Sequence, residues 1–109
     1  MPLLKRSRLA GSWYAGTASA LHEQVQSFLA AARPPLDLPA RSRALIVPHA
    51  GYQYSGQAAA AGYRCLIGQA FRRVVILAPS HFSSFSGGAL LDVDAFETPL
   101  GTVSVDRDA

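Results

Sequence analysis

Two histidines in this chain follow the same local grammar. His49 closes the run Ala44-Leu45-Ile46-Val47-Pro48-His49, and His81 closes Val74-Val75-Ile76-Leu77-Ala78-Pro79-Ser80-His81. Each run is apolar and is stopped by a proline, which lacks the amide hydrogen that a sheet ladder needs. Neutral imidazole suits iron, zinc and copper, so two imidazoles brought together are the start of a metal site. A catalytic centre usually adds a third protein ligand and keeps one position open. The spacing of Asp92, Asp94 and Glu97 selects none of them for that place. Cys65, midway between the histidines, reads as a small core residue. Two metal-free readings stay open. Either histidine is a general base with Tyr52, Tyr54, Ser80 or Ser83 as polar partner, or the imidazoles bond loop backbone at a sheet edge. A serine nucleophile is disfavoured because no Gly-x-Ser-x-Gly turn is present.

Both apolar runs read as strands buried on both faces. The segment between them reads as a helix over 55–67, with Ser55 as N-cap, Ala59, Tyr63, Leu66 and Ile67 on one face, and Gly68 as its stop. Strand, helix and strand form a right-handed crossover that leaves the strands parallel and puts both histidines on one rim, where open α/β sheets bind ligands. The start of that helix points at the same rim and favours an anionic group there. Upstream, Thr17 is expected to cap a helix running to about Ala32, with Leu21, Val25, Phe28, Leu29 and Ala32 at helical spacing and His22 on the solvated face. Gly11-Ser12-Trp13-Tyr14-Ala15-Gly16 reads as a turn whose aromatic rings anchor the core or line a cleft. The proline-rich stretch 33–39 is a connector. After His81 come a loop, a short strand at 89–91, and a hairpin of 95–98 with 102–105 around Pro99-Leu100-Gly101. The expected class is α/β, a mostly parallel sheet with flanking helices and a C-terminal β-hairpin. Two helices are too few to cover both faces of a parallel sheet, so an incomplete half of a larger α/β domain is expected.

Residues 1–109 are read as a single domain, half of it apolar. The net charge of +3 is scattered over strand flanks, without the dense basic stripe of a nucleic-acid binder, so no nucleic-acid partner is expected. A single cysteine leaves no internal disulfide and fits a reducing compartment. No apolar run approaches the roughly 20 residues of a membrane span, and no signal region follows the basic N-terminus. The expectation is a soluble cytoplasmic protein without a membrane partner.

Four motifs, in order, resemble those of one family. They are Gly11-Ser12-Trp13-Tyr14, then Val47-Pro48-His49-Ala50-Gly51-Tyr52 with Tyr54-Ser55-Gly56, then Pro79-Ser80-His81-Phe82, then Glu97-Thr98-Pro99-Leu100-Gly101 with Val105-Asp106. Together they resemble the Memo (mediator of cell motility) family, which includes the AmmeMemoRadiSam system protein B. The resemblance implies a fold similar to the class III extradiol dioxygenases, non-haem iron enzymes that open catechol rings. It implies a metal ion on His49 and His81, iron foremost, with copper or zinc as alternatives. Family members are more than twice this length and take a further histidine and a cysteine ligand from their later half, so the chain resembles their N-terminal part, with an incomplete site. Cys65 does not correspond to that cysteine, and Ala15 replaces the proline that commonly follows Trp-Tyr. The residues expected to line the ligand cleft are Trp13, Tyr14, Tyr52, Tyr54 and Ser80. Expected partners are a small molecule or peptide in the cleft, a radical SAM enzyme by resemblance, and a second copy through the unclosed sheet. A non-catalytic adaptor that uses the same cleft is the alternative function.

Overall fold

The computed structural model describes residues 1–33, 37 and 41–109. It contains, in chain order, β1 (Leu4–Arg6), α1 (Ala18–Ala31), α2 (Tyr52–Arg64), β2 (Ala95–Thr98) and β3 (Gly101–Ser104). Two helices and a three-stranded mixed sheet make a small α/β unit.

α1 starts where Thr17, itself extended, accepts the Ala20 N–H on its side-chain oxygen at 3.3 Å. That bond satisfies one of the amides a first helical turn leaves unpaired. Leu21 is the anchor of the buried face, 3% exposed, and Ala32 is buried just past the helix end. α2 packs across α1 at Gly56, where a Cβ would stand 2.9 Å from Phe28 Cε2 and Cζ, so the missing side chain sets how closely the helices approach. Arg64, in the last turn of α2, donates to the carbonyls of Leu29 and Ala30. A cation thus covers the electronegative end of α1.

β1 pairs with β2 in parallel, Leu4 opposite Ala95 and Arg6 opposite Glu97. β2 and β3 form an antiparallel hairpin, Ala95 opposite Ser104 and Thr98 opposite Gly101. Gly101 takes a φ of +128°, a conformation that excludes most side chains. Asp94 locks the assembly: its carboxylate accepts the Leu3 N–H at 2.6 Å, its own N–H donates to the Leu3 carbonyl at 2.8 Å, and its carbonyl accepts from Val105 at 2.8 Å. Arg107 adds ion pairs to Asp92 at 2.9 Å and Asp94 at 3.2 Å.

Several sequence expectations are corrected. The runs 44–47 and 74–78 are not strands. They lie extended without regular structure, and no residue from 42 to 49 or from 70 to 90 joins a main-chain hydrogen bond to another main-chain group among the described residues. Most of their side chains face solvent, with Ile76 84% and Leu77 91% exposed, while Leu45 and Val47 are half-buried. β-propensity is a preference for a pleated surface with neighbours, and without a partner strand it produces extended chain only. Of the sheet's two pairings one is parallel and the other antiparallel, so the expected parallel character is met in part, by β1 with β2. Residues 89–91 are also irregular. α2 begins three residues before the expected Ser55, behind Gly51 as N-cap. The Ser55 hydroxyl instead donates back to the Ala50 carbonyl at 3.3 Å. Beyond Arg64 the chain tightens through three-residue turns and leaves at Gly68, φ +82°, so Leu66 and Ile67 are not helical. The hairpin's second strand is 101–104 rather than 102–105. The prolines of the expected connector lie outside the described residues.

The Cα radius of gyration is 15.3 Å, against about 13 Å for a close-packed chain of this length.

Candidate metal centre

His49 and His81 converge although their preceding runs do not pair. Their Nε2 atoms are 3.1 Å apart and their ring centroids 5.2 Å, tilted by 43°. Both rings are solvent-exposed. A hydrogen bond between neutral imidazoles at that separation requires one Nε2 to carry the hydrogen and the other to accept it, that is, unlike tautomers. Phe82 lies edge-on to His81, centroids 6.4 Å apart. Ser80 donates its hydroxyl to the Ser83 carbonyl at 2.6 Å and closes the turn beyond Pro79.

On the other flank, His49 is two residues before the N-cap of α2. Gly51 is buried against the Trp13 turn: a Cβ there would stand 3.6 Å from the Trp13 carbonyl oxygen and 3.6 Å from Tyr54 Cδ2. The turn is held by Leu9, whose carbonyl accepts from Ser12 and Trp13, and by the Gly11 N–H on the Tyr14 carbonyl. Trp13 then presents its carbonyl to the Tyr52 N–H at 2.8 Å. The Tyr52 ring packs against Tyr14, centroids 5.4 Å apart, and edge-on to Phe28 at 6.2 Å. Burial pushes the Tyr52 phenol above its usual range, helped by the neighbouring phenols of Tyr14 and Tyr63. Tyr14 in turn bonds the Ser7 hydroxyl. The indole of Trp13 and the ring of Tyr54 stay open to solvent, 47% and 81% exposed.

The sequence-selected residues therefore fall into three places. His49 and His81 meet, Tyr14 and Tyr52 share an aromatic cluster, and Trp13 and Tyr54 flank Gly51 on the surface. Phe28 belongs to that cluster and was read only as a helix-face residue. Helical spacing puts it on the same α1 face as Leu21, and nothing in the sequence signals its meeting with Tyr52. His22 is exposed on α1, and Cys65 is half-buried with its thiol on the Ala61 carbonyl at 3.3 Å. Asp92 and Asp94 are engaged by Arg107, and Glu97 pairs with Arg6 at 3.7 Å. Among the described residues no third histidine, cysteine or carboxylate joins the pair.

The chain is similar to known proteins along most of its length. The chain is 44% identical over 102 residues to Protein MEMO1 of Xenopus laevis, covering 90% of this chain and 32% of that protein. It is 40% identical over 98 residues to the Protein memo-1 homolog of Caenorhabditis elegans, covering 90% and 27%. It is 36% identical over 112 residues to a MEMO1 family protein of Methanothermobacter thermautotrophicus, covering 97% and 40%. The chain spans between about a quarter and two-fifths of the length of these relatives. A family model described as Memo-like protein matches residues 5–109, nearly the whole sequence, and the chain belongs to the Memo-like protein family.

Proposed function

We propose that this Memo-like chain binds a metal ion through His49 and His81, within a protein related to the non-haem metal-dependent dioxygenases. The observation that carries the reading is the 3.1 Å between the two Nε2 atoms. Imidazole–metal bonds of about 2.0–2.1 Å spanning that gap would enclose an angle of about 100°, between tetrahedral and octahedral values. The donor pair therefore fits a single ion. Iron is the metal the family resemblance favours, with copper and zinc as alternatives; two imidazoles accept all three. A ferrous ion held there supplies activation of dioxygen beside a bound substrate.

The chain's own residues do the rest. For both Nε2 lone pairs to face one ion, the donor ring of the histidine pair would shift its single hydrogen from Nε2 to Nδ1 by exchange with solvent, leaving both rings neutral. Trp13 and Tyr54 offer open aromatic surface beside Gly51 for a small molecule or peptide. With two protein donors among the described residues, the remaining positions go to solvent, to substrate or to other protein ligands.

Anaerobic reconstitution of untagged protein with ferrous iron, followed by elemental analysis, tests the reading. About one equivalent per chain is expected, and none in the His49→Ala, His81→Ala double variant. A folded wild type that retains no metal overturns it. The exposure of Trp13 and Tyr54 favours a second reading, an adaptor surface for a protein partner such as a radical SAM enzyme. In that case Trp13→Ala with Tyr54→Ala abolishes capture of such an enzyme while the histidine double variant leaves it intact.

A further inference from the structure

We propose that Tyr52 is a positioning residue for the histidine pair, holding His49 opposite His81 through the first turn of α2. The inference rests on the metal reading above, yet it concerns the pairing of the two rings and can be tested without a metal.

His49 is exposed and stands at the end of a run that makes no main-chain hydrogen bond to another main-chain group among the described residues. Upstream, its nearest packed neighbour is Val47, half-buried against Gly62 of α2. The first firmly held point is downstream, at Tyr52. Its N–H is bound by the Trp13 carbonyl at 2.8 Å, and its ring is wedged between Tyr14 at 5.4 Å and Phe28 at 6.2 Å. These partners are tethered in turn. Tyr14 bonds the Ser7 hydroxyl next to β1, the Ala15 N–H donates to Gln24 on α1 at 3.0 Å, and Phe28 belongs to α1 itself. Tyr52 is thus where the start of α2, the Trp13 turn and α1 are joined. Ser55 ties Ala50, the residue after His49, to the same helical turn at 3.3 Å.

The lever from Tyr52 to His49 is three residues, at most about 10 Å, and bends at Ala50. A rotation of only about 3° at its base moves the far end by about 0.5 Å, enough to carry the 3.1 Å contact past hydrogen-bond range. The phenolic oxygen of Tyr52 has no hydrogen-bond partner among the described residues, so the ring and not the hydroxyl performs the positioning. Phenylalanine should therefore replace tyrosine, while a side chain that leaves the wedge empty should not.

The test uses the full chain and two readouts. Long-range proton–nitrogen NMR reports the imidazole tautomers of His49 and His81 without metal, and calorimetric titration with zinc reports affinity. Tyr52→Phe is expected to keep the unlike tautomers and the wild-type affinity. Tyr52→Ala is expected to lose the pairing and to weaken zinc about 10- to 100-fold, the usual range for removing a group that orients a metal ligand. Should Tyr52→Ala not fold, Tyr52→Leu, which keeps bulk against Phe28 but not the ring contact with Tyr14, takes its place with the same expectation. Val93→Ala, which opens the sheet core away from the turn, controls for general destabilisation. Intact pairing in the alanine or leucine variant, absence of pairing in the wild type, or equal loss in Val93→Ala overturns the proposal. A wild type that pairs its imidazoles but takes up no zinc sinks the metal reading alone, and the tautomer comparison still decides the role of Tyr52.

Discussion

Gly62 sits inside α2, and a Cβ built there would stand 2.5 Å from Cγ1 of Val47. Gly62→Ala pits two opposing effects against each other. Replacing an interior helical glycine gains about 0.5–1 kcal/mol from backbone entropy. Restoring an ordinary carbon–carbon separation of about 3.6 Å requires the Val47 methyl or its backbone to retreat by about 1 Å. Overpacking of this kind costs about 1–3 kcal/mol, and the β-branched Val47 has few rotamers with which to evade it. The expected balance is a loss of about 1 kcal/mol, read as a lower urea midpoint at unchanged slope. Because Val47 is two residues before His49, the same variant should disturb the imidazole pairing seen by NMR. In a Val47→Ala background the obstructing methyl is gone, and Gly62→Ala should then raise the midpoint by the helix-propensity gain alone. A rise in stability in the wild-type background, or no change of sign between the two backgrounds, would refute the contact as the controlling term.

Thr17→Ala removes the side-chain acceptor of the Ala20 N–H at the start of α1, and a loss of about 1 kcal/mol is expected by urea denaturation. Tyr52 predicts a loss of stability at alkaline pH. Its folded-state pKa is raised above the ordinary value of 10.0, chiefly by burial, so the folded protein holds the phenolic proton more tightly than the unfolded chain. The resulting stabilisation is fully present below the unfolded value and is lost as pH rises through the folded one. Urea midpoints followed from neutral pH to above 10 should fall less steeply in Tyr52→Phe, and parallel curves would remove Tyr52 as the source.

Local signals were the legible part of the sequence. Thr17 and the spacing of Leu21, Phe28 and Ala32 located α1, and alternation around Pro99-Leu100-Gly101 located the hairpin, because caps and tight turns are decided by residues a few positions apart. The meeting of His49 and His81 was also foreseeable from the repeated apolar run, proline and histidine, although the intermediate step of two paired strands was wrong. A strand is completed by its partners, and neither run at 44–47 nor 74–78 has one among the described residues. β1 was missed for the converse reason: Leu4-Lys5-Arg6 is three residues with no pattern of its own and becomes a strand only through β2, far along the chain. The start of α2 was misplaced because Ser55 looks like a cap, whereas its hydroxyl bonds Ala50 from inside the first turn. The aromatic wedge around Tyr52 depends on three separate elements meeting, which no single stretch records.

The parallel pairing of β1 with β2 has a consequence for the order in which the molecule assembles. Joining Leu4 to Ala95 closes a loop of about 90 residues, at an entropic cost of about 4 kcal/mol beyond a constant. Three residues of ladder repay little of that, so the closure waits until the hairpin has formed and the helices have docked. The turn that carries Trp13 and Tyr14 hangs from this late strand through Ser7, and Ser7 itself donates its N–H to the Glu97 carbonyl at 3.2 Å. The histidine pair should accordingly be among the last features to appear during refolding, and brief opening of the terminal strand in the native protein should loosen it before the hairpin is disturbed.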